Sequence, residues 1–569
     1  MWKIKGVAAS PGIAIGPVFF FQKTGITFNH QRIADTTAEI KRLNYALATA
    51  KQELASIAKT AVEKVGQDQA SIFEAQLLFL EDPELLDKVI QTITIEQVNA
   101  EFAWNAAISH YAKLLSQMDN QVFAARSADI QDVGNRVLAI LTGQFKSILN
   151  PHQPSIILAE DLLPTDTINL ERDKALAFAT ALGGPTSHVA ILSKALGIPC
   201  VVGLGIELHR IPENTTVIVD GSSGEVIIEP DQDILAEIQT KINVLRDREK
   251  QASASAFQPA ITRDGKRIEV AANIGSLEDT TKAVQFGADG VGLFRTEFLF
   301  LNREHPPSET EQIALYRSIF QMMGNLPIVV RTLDIGGDKP ASYLSLPPEN
   351  NPFLGLRGLR LCLQNQALFD SQLRALLQAG VGYNLRIMFP MVSSIEEILS
   401  ALARLEKVKN ALQEEKASIA EQLQVGIMVE IPSIALLASK AAQLVDFFSI
   451  GTNDLAQYTL AADRTNPRVA GLADAFHPAV LKLIHSVTTC AHRHNRWVGL
   501  CGEFAGDLLA MPLLLGLGLD ELSVSPQLVP LVKESIRRFS LQEAQAITKR
   551  VLQMRDACQV REYLTKFCP

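Results

Sequence analysis

The feature that most limits the fold of this 569-residue chain is a series of eight short apolar segments after residue 260, separated by stretches with helical spacing. In chain order they are IEVAANI, GVGLFRT, PIVVRTL, LRIMFPMV, QVGIMVEI, DFFSIGT, WVGLCGE and ELSVS. Short apolar runs of this kind are typical of strands buried on both faces. Eight strand-and-helix units over roughly 300 residues are what a (β/α)8 TIM barrel requires. We therefore predict such a barrel over residues 259–569.

Polar residues in these segments gather at the same end of several predicted strands. They lie at or just past the carboxyl ends of several strands, where barrel enzymes place their catalytic groups. The residues are Arg295, Arg331, Glu430, Asn453, Asp454 and Cys501. This distribution predicts a functional site at the carboxyl end of the barrel.

Each of these residue types has a chemical use and a simpler explanation. Arginines at neighbouring strand ends could clamp phosphate and carboxylate by paired hydrogen bonds, or could be merely solvated. The carboxylates Glu430 and Asp454 suit Mg²⁺ when a substrate supplies further oxygens, but a helix cap or an ion pair with arginine would also explain them. Cys501 alone would be interpreted as a small buried apolar residue.

In the first 230 residues, the spacing of apolar residues changes twice, from strand-like to helical and back to strand-like. Residues 21–143 have apolar residues at helical spacing and few Gly or Pro, which predicts a helical bundle. The flanking segments 1–20 and 144–230 carry strand patterns such as IGPVFF, SIILAE and TVIVDG, and we expect them to form one α/β domain around the inserted bundle. A charged helix over 231–258 runs into the small-residue stretch ASASAF, expected to be an interdomain linker.

Charge and cysteine content exclude several classes of protein. The net charge is −9 and there is no long Lys/Arg tract, which argues against a nucleic-acid partner. Six cysteines without a CxxC pair favour a reducing, cytoplasmic location. No apolar stretch reaches membrane-spanning length, and Gly6, Pro11 and Gly12 interrupt the N-terminal one, so we expect no membrane insertion.

The stretch GGPTSHVAIL places His188 at the start of a predicted helix. Gly183 and Gly184 permit a tight turn, and the free N–H groups of a helix N-terminus can cradle phosphate oxygens. A histidine ring can attack phosphorus near neutral pH. A histidine that only caps the helix would explain the same motif, so the residues alone leave its role open.

Together these motifs resemble the family of phosphoenolpyruvate-utilising enzymes, which contains Enzyme I of the sugar phosphotransferase system, phosphoenolpyruvate synthase and pyruvate phosphate dikinase. The resemblance covers essentially the whole chain. It runs from SPGIAIG through GGPTSHVAILSKALGIPCVVG to GVGLFRTEFLF, NPFLGLRGLR and FFSIGTNDLAQYTLAADR. One departure is Pro185, where many relatives have Arg, although it leaves the nucleophile in place.

The resemblance implies a role for each candidate residue. His188 would carry the phosphoryl group, and Cys501 would protonate the enolate at C3 to give pyruvate. Substrate-binding residues would be Arg295, Arg331, Arg357, Asn453 and Arg464, with Lys339 a minor candidate. Glu430 and Asp454 would bind Mg²⁺, and Glu503 would tune the proton transfer.

The resemblance also implies partners. The phosphoryl group would pass from His188 to a histidine of the carrier protein HPr, docked on the inserted bundle, in the first step of sugar uptake. The bundle's acidic cluster Glu81, Asp82, Glu84 and Asp87 suits a basic partner, but a solvated helix face is the simpler explanation and the one we favour. A homodimer formed through the barrel is also expected.

Two other functions compete with this one. The synthase and the dikinase need an ATP-grasp domain, for which no segment has room, and regulatory relatives carry an added N-terminal sensory domain, whereas this chain starts at KGVAASPG. The branch that phosphorylates a carrier protein is therefore expected. Because His188 and the barrel arginines fall in different predicted domains, a swivelling of the N-terminal half is expected as well.

Overall fold

The computed structural model describes the chain except for residues 23–25, 66–72, 74, 117–120, 145–148, 164–165, 167–169, 171, 185–186, 302, 338–340, 342, 345–346, 348, 465, 467 and 568–569. For residues 60–65, 116, 121–128, 172, 188 and 195 it describes the backbone alone. The chain divides into two compact units, Met1–Val244 and Leu245–Pro569. Each unit is described by itself.

An eight-stranded sheet organises the first unit. Its strands are β1 (Trp2–Lys5), β2 (Val7–Ser10), β3 (Ile13–Phe21), β4 (Ser155–Ala159), β5 (Ala175–Thr180), β6 (Cys200–Val202), β7 (Thr216–Asp220) and β8 (Glu225–Ile228). Their order in the sheet is β1-β8-β7-β3-β4-β5-β6-β2. Strand β3 pairs in parallel with β4, although the whole helical segment lies between them in the sequence. Strands from both ends of the first 230 residues therefore share one sheet.

Helices occupy the interval between β3 and β4. They are α1 (Thr36–Val65), α2 (Pro83–Glu96), α3 (Ala100–Ser116) and α4 (Gln121–Thr142). Their core includes the fully buried Trp104, whose indole N–H donates to the Gly134 carbonyl at 3.0 Å. Asp82 accepts hydrogen bonds from the Glu84 and Leu85 amides and so caps α2. One member of the acidic cluster thus has a structural role.

Two further helices complete the first half of the chain, α5 (His188–Leu196) and α6 (Gln232–Ala254). Helix α6 continues into the stretch ASASAF. Ala252 and Ala256 are buried, and the Ser255 carbonyl accepts hydrogen bonds from Arg537. Small side chains here allow close packing, and the assignment of 231–258 as an interdomain linker stays a prediction. Strand β1, which pairs with β8, was not predicted.

The second unit contains a closed parallel barrel. Its strands are β10 (Arg267–Ile274), β11 (Val291–Arg295), β12 (Ile328–Arg331), β13 (Leu385–Phe389), β14 (Leu423–Val429), β15 (Phe447–Ile450), β16 (Trp497–Leu500) and β17 (Glu521–Val524). They pair in chain order, and β10 closes the barrel against both β17 and β11. A short strand, β9 (Ala260–Ile261), pairs antiparallel with β10. All eight predicted barrel strands and the predicted fold class, a multidomain α/β protein with a TIM barrel, are confirmed.

Helices connect the barrel strands. They are α7 (Leu277–Gln285), α8 (Glu309–Met323), α9 (Leu359–Gln364), α10 (Gln366–Ala379), α11 (Ile395–Glu414), α12 (Pro432–Leu436), α13 (Ala438–Ala441), α14 (Thr452–Leu460), α15 (Pro478–Arg493), α16 (Met511–Gly516), α17 (Val529–Arg537), α18 (Leu541–Val551) and α19 (Ala557–Leu564). Local sequence fixes several helix starts: Ser308 with Glu311 and Ser394 with Glu397 form capping boxes. None of the helices that the structure describes is long and apolar enough to cross a membrane. The domain limits given above from sequence stay predictions.

Candidate functional site at the carboxyl end of the barrel

A cleft of about 240 Å³ opens at the carboxyl ends of the barrel strands. Its lining includes eight of the barrel residues singled out from the sequence, namely Arg295, Arg331, Arg357, Glu430, Asn453, Asp454, Arg464 and Cys501. Glu503 and Asp334 also line it. The parallel strands bring these residues together because every carboxyl end meets at the same face.

Arg331 ends β12 and is almost fully buried. Its guanidinium donates to the Glu297 carboxylate, and its Nη1 lies 3.2 Å from Asp334 Oδ2. Burial by itself would lower the pKa of this guanidinium, but Glu297 and Asp334 raise it above its ordinary value. Arg331 therefore stays charged, and its Nε is a buried donor without a partner among the described residues.

Arg357 comes from the loop before α9 and is held from two sides. Its Nε and Nη2 donate to Asp334 at 2.9 and 3.0 Å, and Nη2 also donates to Asp454 Oδ2 at 3.2 Å. Nη1 has no partner within the described residues. A bidentate ion pair thus fixes the guanidinium plane and leaves one donor for a ligand.

Asp334 was not identified from the sequence. It is fully buried and contacts both Arg331 and Arg357. Like the other candidates, it lies just past a strand end, in the segment VRTLDIGGDKP. The same criterion of strand-end position, applied to every residue of that motif, would have found it.

Glu430 follows β14 and is 1% exposed. Its Oε1 accepts a hydrogen bond from the Met391 amide at 2.5 Å, and Met391 has a left-handed backbone with φ of 55°. Burial, together with the charges of Asp454 and Asp334, raises the pKa of Glu430 to about 8. A positive charge placed between these carboxylates would instead lower the pKa of Glu430.

The donor set was tested for its fit to a divalent cation. Asp454 Oδ1 is buried and accepts no hydrogen bond from the described residues, with Arg464 Nη2 at 3.6 Å. Among the residues that the structure describes, no group of three or more His, Cys, Asp or Glu side chains is arranged to hold a metal by itself. Two carboxylates and an unsatisfied buried oxygen suit a Mg²⁺ ion whose remaining ligands come from substrate and water.

Three polar side chains of the cleft are less constrained. Arg295 is exposed and forms no ion pair among the described residues. Arg464 is partly exposed, and its Nε lacks a partner in the described part of the chain. Asn453 Oδ1 accepts from the Glu503 amide at 3.1 Å, which orients the Asn453 amide. These groups are available to an anionic ligand.

Cys501 is buried directly after β16. Ser449 Oγ donates to its sulfur at 3.3 Å, and the thiol donates to the Ile450 carbonyl at 3.7 Å. Burial raises the pKa of Cys501 to about 11, although Ser449 and Arg331 act in the opposite direction. The thiol is therefore protonated at neutral pH and suited to donate a proton rather than to act as a nucleophile.

His188 lies in the first unit, as the first residue of α5. The N-cap residue Ser187 has an extended backbone and makes no side-chain capping hydrogen bond. Gly183 has a φ of 99°, a conformation that favours glycine and forms the turn before the helix. Pro185, Thr186 and Lys339 lie outside the described residues.

Comparison with known proteins gives three family matches along the chain. Residues 5–126 match the N-terminal domain of PEP-utilising enzymes, residues 151–224 match the mobile domain, and residues 249–541 match the PEP-binding domain. A phosphoenolpyruvate-protein phosphotransferase from Geobacillus stearothermophilus is 45% identical over 566 residues, covering 99% of this chain and 98% of the relative. Proteins of the same name from Bacillus subtilis (strain 168) and Staphylococcus carnosus (strain TM300) are 44% and 42% identical, with at least 97% of each chain covered.

Proposed function

This chain belongs to the family of PEP-utilising enzymes, and we propose that it transfers the phosphoryl group of phosphoenolpyruvate to His188 and then to a histidine of a carrier protein. The observation that carries the proposal is the cleft, which combines arginines for an anion, two carboxylates for a cation and a protonated thiol. These are the groups that the transfer from phosphoenolpyruvate requires.

Binding would use the donors left free in the cleft. Arg295, Arg331 and Arg464 would bind the phosphate and carboxylate of the substrate, with Asn453 as a further phosphate contact. Arg357 would add its free Nη1 while Asp334 holds its orientation. Glu430 and Asp454 would hold Mg²⁺, which supplies compensation for the charge that develops as phosphorus leaves oxygen.

The chemical step would begin with attack of a ring nitrogen of His188 on phosphorus. The nitrogen–phosphorus bond forms as the bond between phosphorus and the bridging oxygen breaks, and the enolate of pyruvate leaves. The Cys501 thiol would give its proton to C3 of the enolate, and the thiolate would regain a proton from water. The products are phosphohistidine and pyruvate.

The second transfer requires a different acceptor at the same histidine. Because His188 belongs to the first unit and the cleft to the second, the proposed cycle includes a movement that brings His188 to each partner in turn. We propose HPr as the carrier and the helices α1 to α4 as its docking surface, in the first step of sugar uptake. We also propose a homodimer joined through the barrel and a cytoplasmic location. The five cysteines that the structure describes are all free thiols, which is compatible with a reducing compartment.

The test is transfer of label from [³²P]phosphoenolpyruvate with Mg²⁺ and without ATP. We expect the wild type to take up label and His188→Ala to take up none, because the acceptor nitrogen is lost. His152→Ala is a matched control, since His152 is an exposed histidine of the same unit, and it should label like the wild type. Adding HPr should then remove the label from the enzyme.

Three results would overturn parts of this proposal. Label retained by His188→Ala would move the phosphorylated site elsewhere, and label on no variant would exclude phosphoryl transfer from phosphoenolpyruvate. Label that HPr cannot remove would exclude HPr as the carrier.

A further inference from the structure

We propose that Gln372 is a positioning residue that fixes the ends of β11 and β12, and with them Arg295 and Arg331. The inference rests on the proposed function, because it concerns how these two arginines receive phosphoenolpyruvate. Gln372 belongs to α10 and does not line the cleft.

A single side-chain amide reaches both strand ends. Gln372 Oε1 accepts a hydrogen bond from the Leu333 amide at 2.9 Å, two residues after Arg331. Gln372 Nε2 donates to Thr296 Oγ1 at 3.0 Å, one residue after Arg295. The amide therefore connects the backbones that follow the two arginines.

Thr296 extends this connection into the site. Its hydroxyl donates to the Arg331 carbonyl at 2.9 Å, and Arg295 and Arg331 are partners in the β11–β12 register. The next residue, Glu297, forms the ion pair with the Arg331 guanidinium. A shift of Thr296 would thus move Arg295, Glu297 and the backbone of Arg331 together.

The polar contacts of Gln372 are fully buried, so they are sensitive to loss of one partner. Gln372 and Thr296 are each 1% exposed. Removing the amide would leave the Leu333 N–H without an acceptor and the Thr296 hydroxyl without its donor, in a region that water does not reach. The strand ends would then relax to satisfy these groups. Misplacement of substrate-binding groups by ~1 Å can cost about 100-fold in rate.

The same network offers a matched control. Gln312, on α8, is also fully buried, accepts from Tyr316, and donates to the Pro307 carbonyl and to Ser371 Oγ at 3.2 Å. Tyr316 also accepts from Gln372 Nε2 at 3.4 Å, but none of the partners of Gln312 lies at the ends of β11 or β12. Gln312→Met and Gln372→Met therefore remove the same buried amide, but only the second disconnects the arginines.

The experiment compares these two variants of the full chain by melting temperature and by the steady-state constants for phosphoenolpyruvate. Both should melt below the wild type. Only Gln372→Met should raise the KM for phosphoenolpyruvate, by about 10-fold or more, with a smaller fall in kcat, because binding groups rather than reacting groups are displaced.

A second variant tests the inference if Gln372→Met folds poorly. In Gln372→Glu, the protonated acid can keep the hydrogen bonds with Leu333 and Thr296, whereas the carboxylate still accepts from Leu333 but cannot donate to Thr296. Its KM should approach that of the wild type at low pH and rise more steeply with pH than the wild-type value.

The outcomes separate the two levels of the proposal. An active wild type with equal KM changes in Gln372→Met and Gln312→Met, or a Gln372→Glu profile parallel to the wild type, would overturn the positioning role alone. A wild type that takes no phosphoryl group from phosphoenolpyruvate would overturn the proposed function and the positioning role with it.

Discussion

The two ends of the barrel interior each contain a buried glutamate, and burial is the largest cause that raises the pKa of each to about 8. Glu430 follows β14 at the carboxyl end, whereas Glu521 begins β17 at the opposite end. Glu430 has Asp454, Asp334 and two arginines around it and borders the cleft. The surroundings of Glu521 are different.

Glu521 lies near one cation, Arg386, and near two other carboxylates, Glu269 and Asp520, whose charges also raise its pKa. Arg386 Nη1 is 3.9 Å from its carboxylate, and the Arg386 guanidinium lies 4.6 Å from the centre of the Trp497 ring. Trp497 stacks on Phe447 with ring centres 4.5 Å apart. Glu521 Oε1 has no hydrogen-bond partner in the described part of the chain.

The comparison teaches that a raised carboxyl pKa does not by itself mark a catalytic group. Burial produces the shift at both ends, because removing a carboxylate from water disfavours its charged form. Carboxylates also lie near both groups, Glu269 and Asp520 near Glu521 and Asp454 and Asp334 near Glu430, but Glu430 borders an open cleft that arginines line as well. Function therefore follows from the combination of groups, and the predictions below test this difference between the ends.

The largest effect is expected at the carboxyl end, in Cys501→Ser. The proposed general acid would be replaced by a much weaker one, so turnover of phosphoenolpyruvate with carrier protein should fall by about 10²- to 10⁴-fold. Cys490→Ser, at a half-buried cysteine outside the cleft, should keep wild-type turnover. Similar turnover in the two variants would remove Cys501 from the chemistry.

The direct comparison of the two ends is Glu430→Gln against Glu521→Gln. Loss of the Glu430 charge should weaken Mg²⁺ binding and lower turnover by about 10²-fold or more, because charge compensation is a major term in phosphoryl transfer. Glu521→Gln should stay within about twofold of the wild type, since Glu521 touches no proposed ligand. Measurements are turnover and the Mg²⁺ concentration that gives half-maximal activity.

Equal losses in the two variants would contradict the assignment of separate roles to the two ends. The same holds if Glu430→Gln keeps the wild-type dependence on Mg²⁺.

A smaller effect is expected on stability as the pH rises. The pKa of Glu521 is about 8 in the folded chain against 4.5 for an ordinary glutamate, so the folded state binds this proton more tightly. The resulting stabilisation is complete below the ordinary pKa and is lost as the pH rises through the folded value. Glu521→Gln, which stays neutral, should therefore gain in melting temperature relative to the wild type as the pH rises from about 4.5 to about 8.

Glu430 contributes to the pH dependence of stability as well, but it is present in both proteins. The difference between wild type and Glu521→Gln therefore reports Glu521 alone. Parallel melting curves for wild type and variant across this pH range would show that Glu521 is not protonated in the folded chain.

The smallest effect is expected for Arg386→Met. It removes the guanidinium over Trp497, an interaction that contributes about 0.5–2 kcal/mol. The free energy of unfolding, measured by denaturant titration, should fall by about that amount while turnover is retained. A loss of turnover without loss of stability would indicate that the amino end of the barrel acts in the reaction.

Much of the fold could be predicted because it depends on local pattern. All eight barrel strands appear as apolar runs, since a strand covered on both faces needs apolar residues throughout. Arg295, Arg331, Glu430, Asp454 and Cys501 could be found because strand-end position is itself a sequence property. Strand β1 was missed because its four residues, WKIK, are too few for their alternation of apolar and charged side chains to stand out.

Other features depend on pairs distant in sequence. Asp334 is 23 residues from Arg357 and 120 from Asp454, and the two arginines and Asp454 form one buried ion network only after the barrel closes. Gln372 lies on an otherwise apolar helix face, where a polar residue gives no indication of its partner. The pattern of ASASAF could not show whether small residues form a flexible linker or a packed helix end.

The sequence alone determined the class of fold, the family resemblance and most of the residues available for chemistry, because periodicity and motif spacing are local. The tertiary structure decided which charges are compensated, which donors remain free, and which of two buried glutamates borders a cleft. Those properties depend on the distance between groups and on their removal from water, and both are set only when the strands close into the barrel.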